Sequence, residues 1–459
     1  MRRRHPHAPG PVLRAVLRAV LRAAPLLAAL TLSTALRAAD SGGELTLRLD
    51  ARRVNGRGPL ALANRLQPGL AAPAEEQGRL MAELRHRQRL PGDLSLGAKV
   101  LLAHGVEYTD DEWGSRWKGR DESRVNELHL DADLGAWQLS AGRKVLGWDV
   151  GYAFRPNDVV QQEERRALFG QTPMGRPLLM VEHFDADTAW SLVLVNGQRL
   201  READDATRDS DDTQDSRRAR RVFGAEEPAL AARAYARAGD ADLHAFARLG
   251  RHTGASLGAA LAWVASEEIE LHASWRGFRA HDGWRFAGSS TALSSTHPWA
   301  QATLGGGAQW LLGAQWTGSA RVSLLAELWH DGTAPADAAW RDWSARNRGL
   351  AALAQAASPA LDRAVAGNLA WQAAPLDAPG LRRDNLYLRA AWQPEDLTLA
   401  LDLLLHPADR GRAVGASLQW RAGRFRLDAT LRHYGGPRSA VLAQLPTRRA
   451  ALLAATIAF

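Results

Sequence analysis

The sequence predicts an all-β fold: a closed, antiparallel transmembrane β-barrel of about 18 strands, with 16 as the other even count that fits. Three observations point there. Apolar and polar residues alternate with period 2 through segments of about nine residues or more, longer than strands of soluble sheets. No run of about 18 apolar residues follows residue 39, which excludes helical spans. The links between segments alternate between tight turns and long loops, so that one rim is short and the other long. Alternation alone also fits a soluble sandwich; segment length and turn parity separate the two.

Taken in order, the strands are expected near 44–54, 78–89, 94–107, 123–134, 136–145, 177–185, 188–196, 229–238 and 241–250. The rest fall near 254–265, 269–278, 307–317, 320–330, 384–393, 396–405, 412–421, 423–433 and 450–459. In Glu44-Leu-Thr-Leu-Arg-Leu-Asp50 and Arg424-Phe-Arg-Leu-Asp-Ala-Thr-Leu-Arg432, one face is apolar and the other charged. Tight turns such as Leu90-Pro-Gly-Asp93, Gly239-Asp240 and Pro394-Glu395 fall on the periplasmic side. Long loops are expected at 55–77, 108–122, 146–176, 197–228, 279–306, 331–383 and 434–449. The apolar piece Ala364–Trp371 would spoil strand parity and is placed inside loop 331–383, which is partly helical around Leu350–Ala357. Segment 201–221 is dense in charge and poor in apolar residues, which predicts a solvated surface loop.

The first 39 residues carry seven arginines and no acid, then an apolar stretch from Pro25 to Leu32 and small residues. This predicts a secretory signal peptide over 1–39, cleaved after Ala35 or Ala39, with the barrel over 40–459. A basic organelle-targeting helix is the alternative reading of Leu13–Arg22. The formal net charge is +8, of which the leader contributes +7, so the remainder is close to neutral and nucleic-acid binding is disfavoured. The absence of cysteine excludes disulfides and thiolate metal sites.

The C-terminal segment places Leu453, Ala455, Ile457 and Phe459 on one face. It resembles the last strand of bacterial outer-membrane barrels, whose terminal aromatic signals to the barrel assembly machinery; the resemblance implies that partner for Phe459, and an outer membrane with its lipopolysaccharide as surroundings. The passage Gly142-Arg-Lys-Val-Leu-Gly-Trp-Asp-Val-Gly-Tyr-Ala-Phe-Arg-Pro-Asn-Asp-Val-Val160 resembles a stretch of alginate-export-like and porin-like channels. There a strand leaves the membrane into a loop that can enter the pore. The resemblance implies a constriction from Arg143, Trp148, Arg155, Asp158, Arg165, Arg166 and Arg176. Asp149 stands where that pattern usually has glycine.

With leucines facing lipid, the opposite faces line the interior, because an arginine at mid-membrane costs about 2–4 kcal/mol on the lipid side. The expected lining is Arg48, Glu83, Arg85, Arg87, Glu127, Asp131, Arg233, Arg237, Arg248, Arg276, Arg321, Glu327, Arg389, Arg424 and Arg426. Such a wall either neutralises itself in cross-strand pairs or presents arginines to small anionic solutes. Tryptophans 190, 263, 275, 310, 316, 392 and 420 read as an aromatic girdle, and Trp329 as an inward residue able to stack on a saccharide. The histidines lack metal-ligand spacing, and neither a nucleophile elbow nor a phosphate loop occurs, so no enzyme and no cofactor are expected. His272 and Ser274 are the nearest to a catalytic pair. The two functional readings are a passive channel and a plugged barrel that serves export or binding of a surface polymer.

Overall fold

The computed structural model describes residues 39–68, 70, 76–111, 114–161, 173–196, 227–288, 293–356 and 359–459. The expected leader up to residue 38, Arg165, Arg166 and the charge-dense segment 201–221 lie outside the described residues.

Eighteen strands close into one antiparallel sheet. The first are β1 (Ala39–Val54), β2 (Glu76–Leu90), β3 (Leu94–Asp111), β4 (Gly114–Leu134) and β5 (Trp137–Lys144). There follow β6 (Arg176–Phe184), β7 (Thr188–Val195), β8 (Ala229–Ala238), β9 (Ala241–Gly250), β10 (Gly254–Val264) and β11 (Ile269–Phe278). A separate loop hairpin, β12 (His281–Phe286) with β13 (Trp299–Leu304), stands outside the barrel wall. The wall resumes with β14 (Gly307–Thr317), β15 (Val322–Asp331), β16 (Asp384–Trp392), β17 (Leu397–His406), β18 (Gly411–Ala422), β19 (Phe425–Gly435) and β20 (Thr447–Ala458). Closure is made by β1 on β20, with Leu45 opposite Ile457 and Leu49 opposite Leu453, and by paired backbone bonds of 2.9 Å between Gly43 and Phe459. Closure removes the sheet edges that hydrocarbon could not satisfy.

Each of the 18 expected strands corresponds to one strand of the wall. Three loop expectations need correction. The β3–β4 ladder runs through the supposed loop 108–122 as far as Asp111 opposite Gly114, because the polar sequence there lets the hairpin continue beyond the bilayer. Loop 279–306 contains the β12–β13 hairpin. Loop 55–77 contains helix α1 (Pro59–Leu66), started by a proline whose missing N–H costs nothing at a helix start. Loop 331–383 holds α2 (Asp337–Leu353) and α3 (Pro359–Trp371), so Ala364–Trp371 is helix and strand parity survives.

The outward face is apolar: Leu401 and Leu431 are each 63% exposed, which is tolerable only against hydrocarbon. Trp190, Trp263, Trp316, Trp392 and Trp420 point outward near the short-turn rim, while Trp275 and Trp310 face each other nearer the loop rim. The described residues contain no helix long and apolar enough to cross a membrane. The strands therefore do the crossing.

Candidate functional site: a lumen and its inward loop

Beyond β5 the chain turns into the barrel, and residues 145–161 lie against the inner wall. Trp148, Val159 and Val160 pack on inward side chains of five strands: Leu178 and Met180 of β6, Val193 and Val195 of β7, Ala231 of β8, Phe246 of β9 and Ala260 of β10. Phe154 stacks on Trp329 of β15, ring centroids 5.3 Å apart. This part of the lumen is dry.

Three carboxylates hold the loop. Glu327, fully buried on β15, accepts the backbone N–H groups of Tyr152 (2.7 Å) and Ala153 (2.8 Å), and meets Nε2 of the buried His272 at 3.0 Å. Gly313 stands between these partners in the ladder; a Cβ there would fall 1.9 Å from the His272 ring. Asp149 accepts from Ser274 Oγ (2.8 Å) and from the N–H groups of Val150 and Asn157. Asn157 in turn donates to Ser274 Oγ at 2.8 Å. Asp158 accepts from the N–H groups of Trp148 (2.9 Å) and Asp149 (3.0 Å). Burial pushes the Asp149 carboxyl above its ordinary value in spite of these donors. Hydrogen bonds to charged acceptors contribute about 1.5–3 kcal/mol each, so the loop is fastened rather than draped.

Going round from β16 to β5 by way of β1, the inner wall is charged instead. Arg48 bonds Asp50 at 2.8 Å, Lys99 reaches Glu83 at 3.1 Å and Lys144 reaches Asp131 at 3.0 Å. Arg426 spans Asp428 (3.0 Å) and Glu44 (3.6 Å), with Arg85 also on Glu44, and Arg432 faces Asp402 at 3.6 Å. Among the described residues, Arg87 and Arg421, both inward and near the short-turn rim, have no carboxylate within ion-pair distance.

The ladder turns Arg48, Glu83, Arg85, Arg87, Glu127, Asp131, Arg233, Arg237, Arg276, Arg389 and Arg426 inward. Arg248 is also inward, but it is buried with Glu227 (2.8 Å) and Thr253 (2.9 Å) and braces the wall. Glu327 belongs to the loop anchor and is closed to solutes. Two lining expectations fail: Arg321 and Arg424 sit in exposed short turns, Arg321 with left-handed backbone (φ 59°), because the strands begin later than their alternation suggests.

Of the constriction set, Trp148 is core and Asp158 is a buried backbone cap, with the half-exposed Arg155 beside it at 3.6 Å. Arg176 is inward and buried. Arg143 faces outward, opposite Leu128 and Pro177; the next residue, Lys144, takes the inward place, as a one-residue step reverses the face. Trp329 is covered by Phe154 and offers no platform for a sugar. His272 and Ser274 belong to different anchors, and no group of metal-ligating side chains occurs among the described residues. Sequence reasoning missed Asp149, Asn157 and Ser274 as fasteners; the one signal was an acid where the pattern has glycine.

At the loop rim, Trp340 and Trp343 of α2 are buried with Trp299, Leu442 and Leu445, and they rest on Leu404, Ala413 and Tyr434 from the inner ends of β17–β19. Trp340 Nε1 donates to the Leu381 carbonyl at 2.6 Å. Arg382 ties this cap to Asp337 and Asp409, each at 2.8 Å. Burial alone would raise the Asp409 carboxyl; the N–H of Val441, the Arg382 guanidinium and the N–H of Gly411 outweigh it and hold the group below its ordinary value.

The closed wall, apolar exterior and polar interior define a transmembrane β-barrel of the outer-membrane type. The chain is similar to OccK5 (OpdH) of Pseudomonas aeruginosa at 11% identity over 92% of this chain and 98% of that one, with a TM-score of 0.50. It is similar to OccAB1 of Acinetobacter baumannii at 8% identity over 92% and 97%, with a TM-score of 0.51. No family model and no curated protein matches the sequence. At these identities the likeness establishes the fold.

Proposed function

We propose that this barrel is a passive outer-membrane channel for small polar solutes, with a preference for anions. The observation that carries the reading is the division of the lumen: a loop is pinned to one part of the wall, while the remaining part is lined by charged side chains. Selectivity would come from charge at that division, with Arg155 on the loop and inward arginines such as Arg87 and Arg426 opposing it. Recording the purified protein in a planar bilayer under a potassium chloride gradient tests this. Single-channel steps with a reversal potential toward the chloride equilibrium value are expected; a cation-directed potential would refute the anion preference.

A second reading, a plugged barrel that binds or exports a surface polymer, is favoured by the tryptophan-rich cap at the loop rim. It requires no steady current from the intact chain and current once residues 337–377 are removed.

A further inference from the structure

The outer surface of β16–β20 and β1 is grooved along one row of paired residues, from Ala390 and Trp392 at the short-turn end of β16 to Leu49 and Ala51 toward the loop end of β1. A concavity of about 920 Å³ runs between the ridge side chains Leu401, Leu431 and Leu453, over a floor of Ala390, Ala416, Ala429 and Ala451. One register step above this floor, Arg53, Arg449 and His433 stand side by side on β1, β20 and β19, on the same outward face as the leucines. Arg412 lies on that face of β18, two residues beyond Val414, the partner of His433. Arg53, Arg412 and Arg449 are exposed, and among the described residues none of the three is in an ion pair.

The inner wall handles its arginines differently, giving Arg48, Arg426 and Arg432 carboxylate partners within 4 Å. Unpaired arginines at the boundary of hydrocarbon demand a partner from outside the chain. A phosphate at the membrane interface suits them, since guanidinium groups bind it through paired, charge-assisted hydrogen bonds. The apolar groove lies deeper, two residues (about 7 Å) down from Arg53 and Arg449 on β1 and β20 and four residues down from Arg412 on β18, where acyl chains of the same molecule would run. We propose that this face is a binding site for a phosphorylated, multiply acylated lipid of the outer leaflet, its phosphate held by Arg53, Arg449 and Arg412 and its acyl chains seated along Ala451, Ala429 and Ala416.

The test is native mass spectrometry of the purified, detergent-held barrel with added diphosphorylated lipid A. Retention of one lipid is expected, weakened about tenfold (about 1.4 kcal/mol) by Arg53→Ser with Arg412→Ser and Arg449→Ser, and to a similar extent by removal of the lipid phosphates. Filling the groove by Ala416→Trp with Ala429→Trp, arginines intact, is expected to displace the lipid too; tryptophan facing the membrane leaves the fold unharmed, which heat-modifiable mobility on a gel checks. Equal retention by all variants overturns the proposal. So does full displacement by inorganic phosphate, which would mean that the acyl groove takes no part. Self-association of the parent that is lost in the tryptophan variant while lipid retention is unchanged would assign the groove to a second copy of the chain and also overturn it.

Discussion

The two parts of the inner wall solve one problem in opposite ways. From β6 to β15 the interior is covered by the 145–161 loop, and wall residues such as Leu178, Met180 and Val193 are as apolar as a soluble core. From β16 round to β5 the wall keeps its charges, with Glu83, Asp131 and Asp402 within ion-pair distance of bases on other strands. The same barrel geometry carries both, so a lumen is not uniformly wet; what covers the wall decides which residues it can hold. On the covered side a carboxylate is a fastener for backbone N–H groups, and on the open side it is a counter-ion.

The sharpest way to break this contrast is at Glu327. Glu327→Ala leaves the N–H groups of Tyr152 and Ala153 and the His272 ring without their acceptor in a fully buried place. Loss of about 3–5 kcal/mol of loop anchoring is expected. Single-channel current should become noisy and larger, and cleavage within 145–161 by added protease should appear; a variant as quiet and as resistant as the parent would remove Glu327 from the anchor.

Gly258→Ala comes next. Its Cβ would fall 1.9 Å from Asn157 Oδ1, so the loop must shift, at about 1–3 kcal/mol. Conductance change without loss of the folded, heat-modifiable form is the expected result; an unchanged conductance would mean that the loop does not close on Gly258.

A charge on the open side should affect ions more than stability. Arg48→Ala breaks a part-exposed pair with Asp50, with a stability change of about 1 kcal/mol or less. The reversal potential should shift toward cations. No shift would place Arg48 away from the ion path.

The smallest expected effect is that of pH on the cap. The Asp409 carboxyl is held below its ordinary value of 3.8, so its contribution is present above that value and is lost as pH falls through the lower, folded one. Fluorescence of Trp340 and Trp343 should redden only in strong acid, and Asp409→Asn should abolish the pH dependence while loosening the cap at neutral pH.

The strands were legible because each side chain must choose between hydrocarbon and the interior, and that choice repeats every two residues. In the wall, Arg48, Arg85 and Arg426 stand on the inward face of their strands. The repeat fails at Arg321 and Arg424, which precede the first residue of their strands, and at Arg143, where the motif and the strand's parity point to opposite faces. The loop anchors were illegible for another reason. Asp149 and Asn157 meet Ser274, and the Tyr152 backbone meets Glu327, across separations of more than 100 residues, and no local pattern marks such a meeting.

By itself the sequence determined the barrel class, the outward leucines and the alternation of short turns with long loops, since each follows from local alternation and chain economy. Only the tertiary structure decided which part of the lumen is dry, which carboxylates serve backbone instead of solute, and where unpaired arginines gather on the lipid side. Those depend on what the closed wall brings opposite a given residue, and closure is a property of all eighteen strands together.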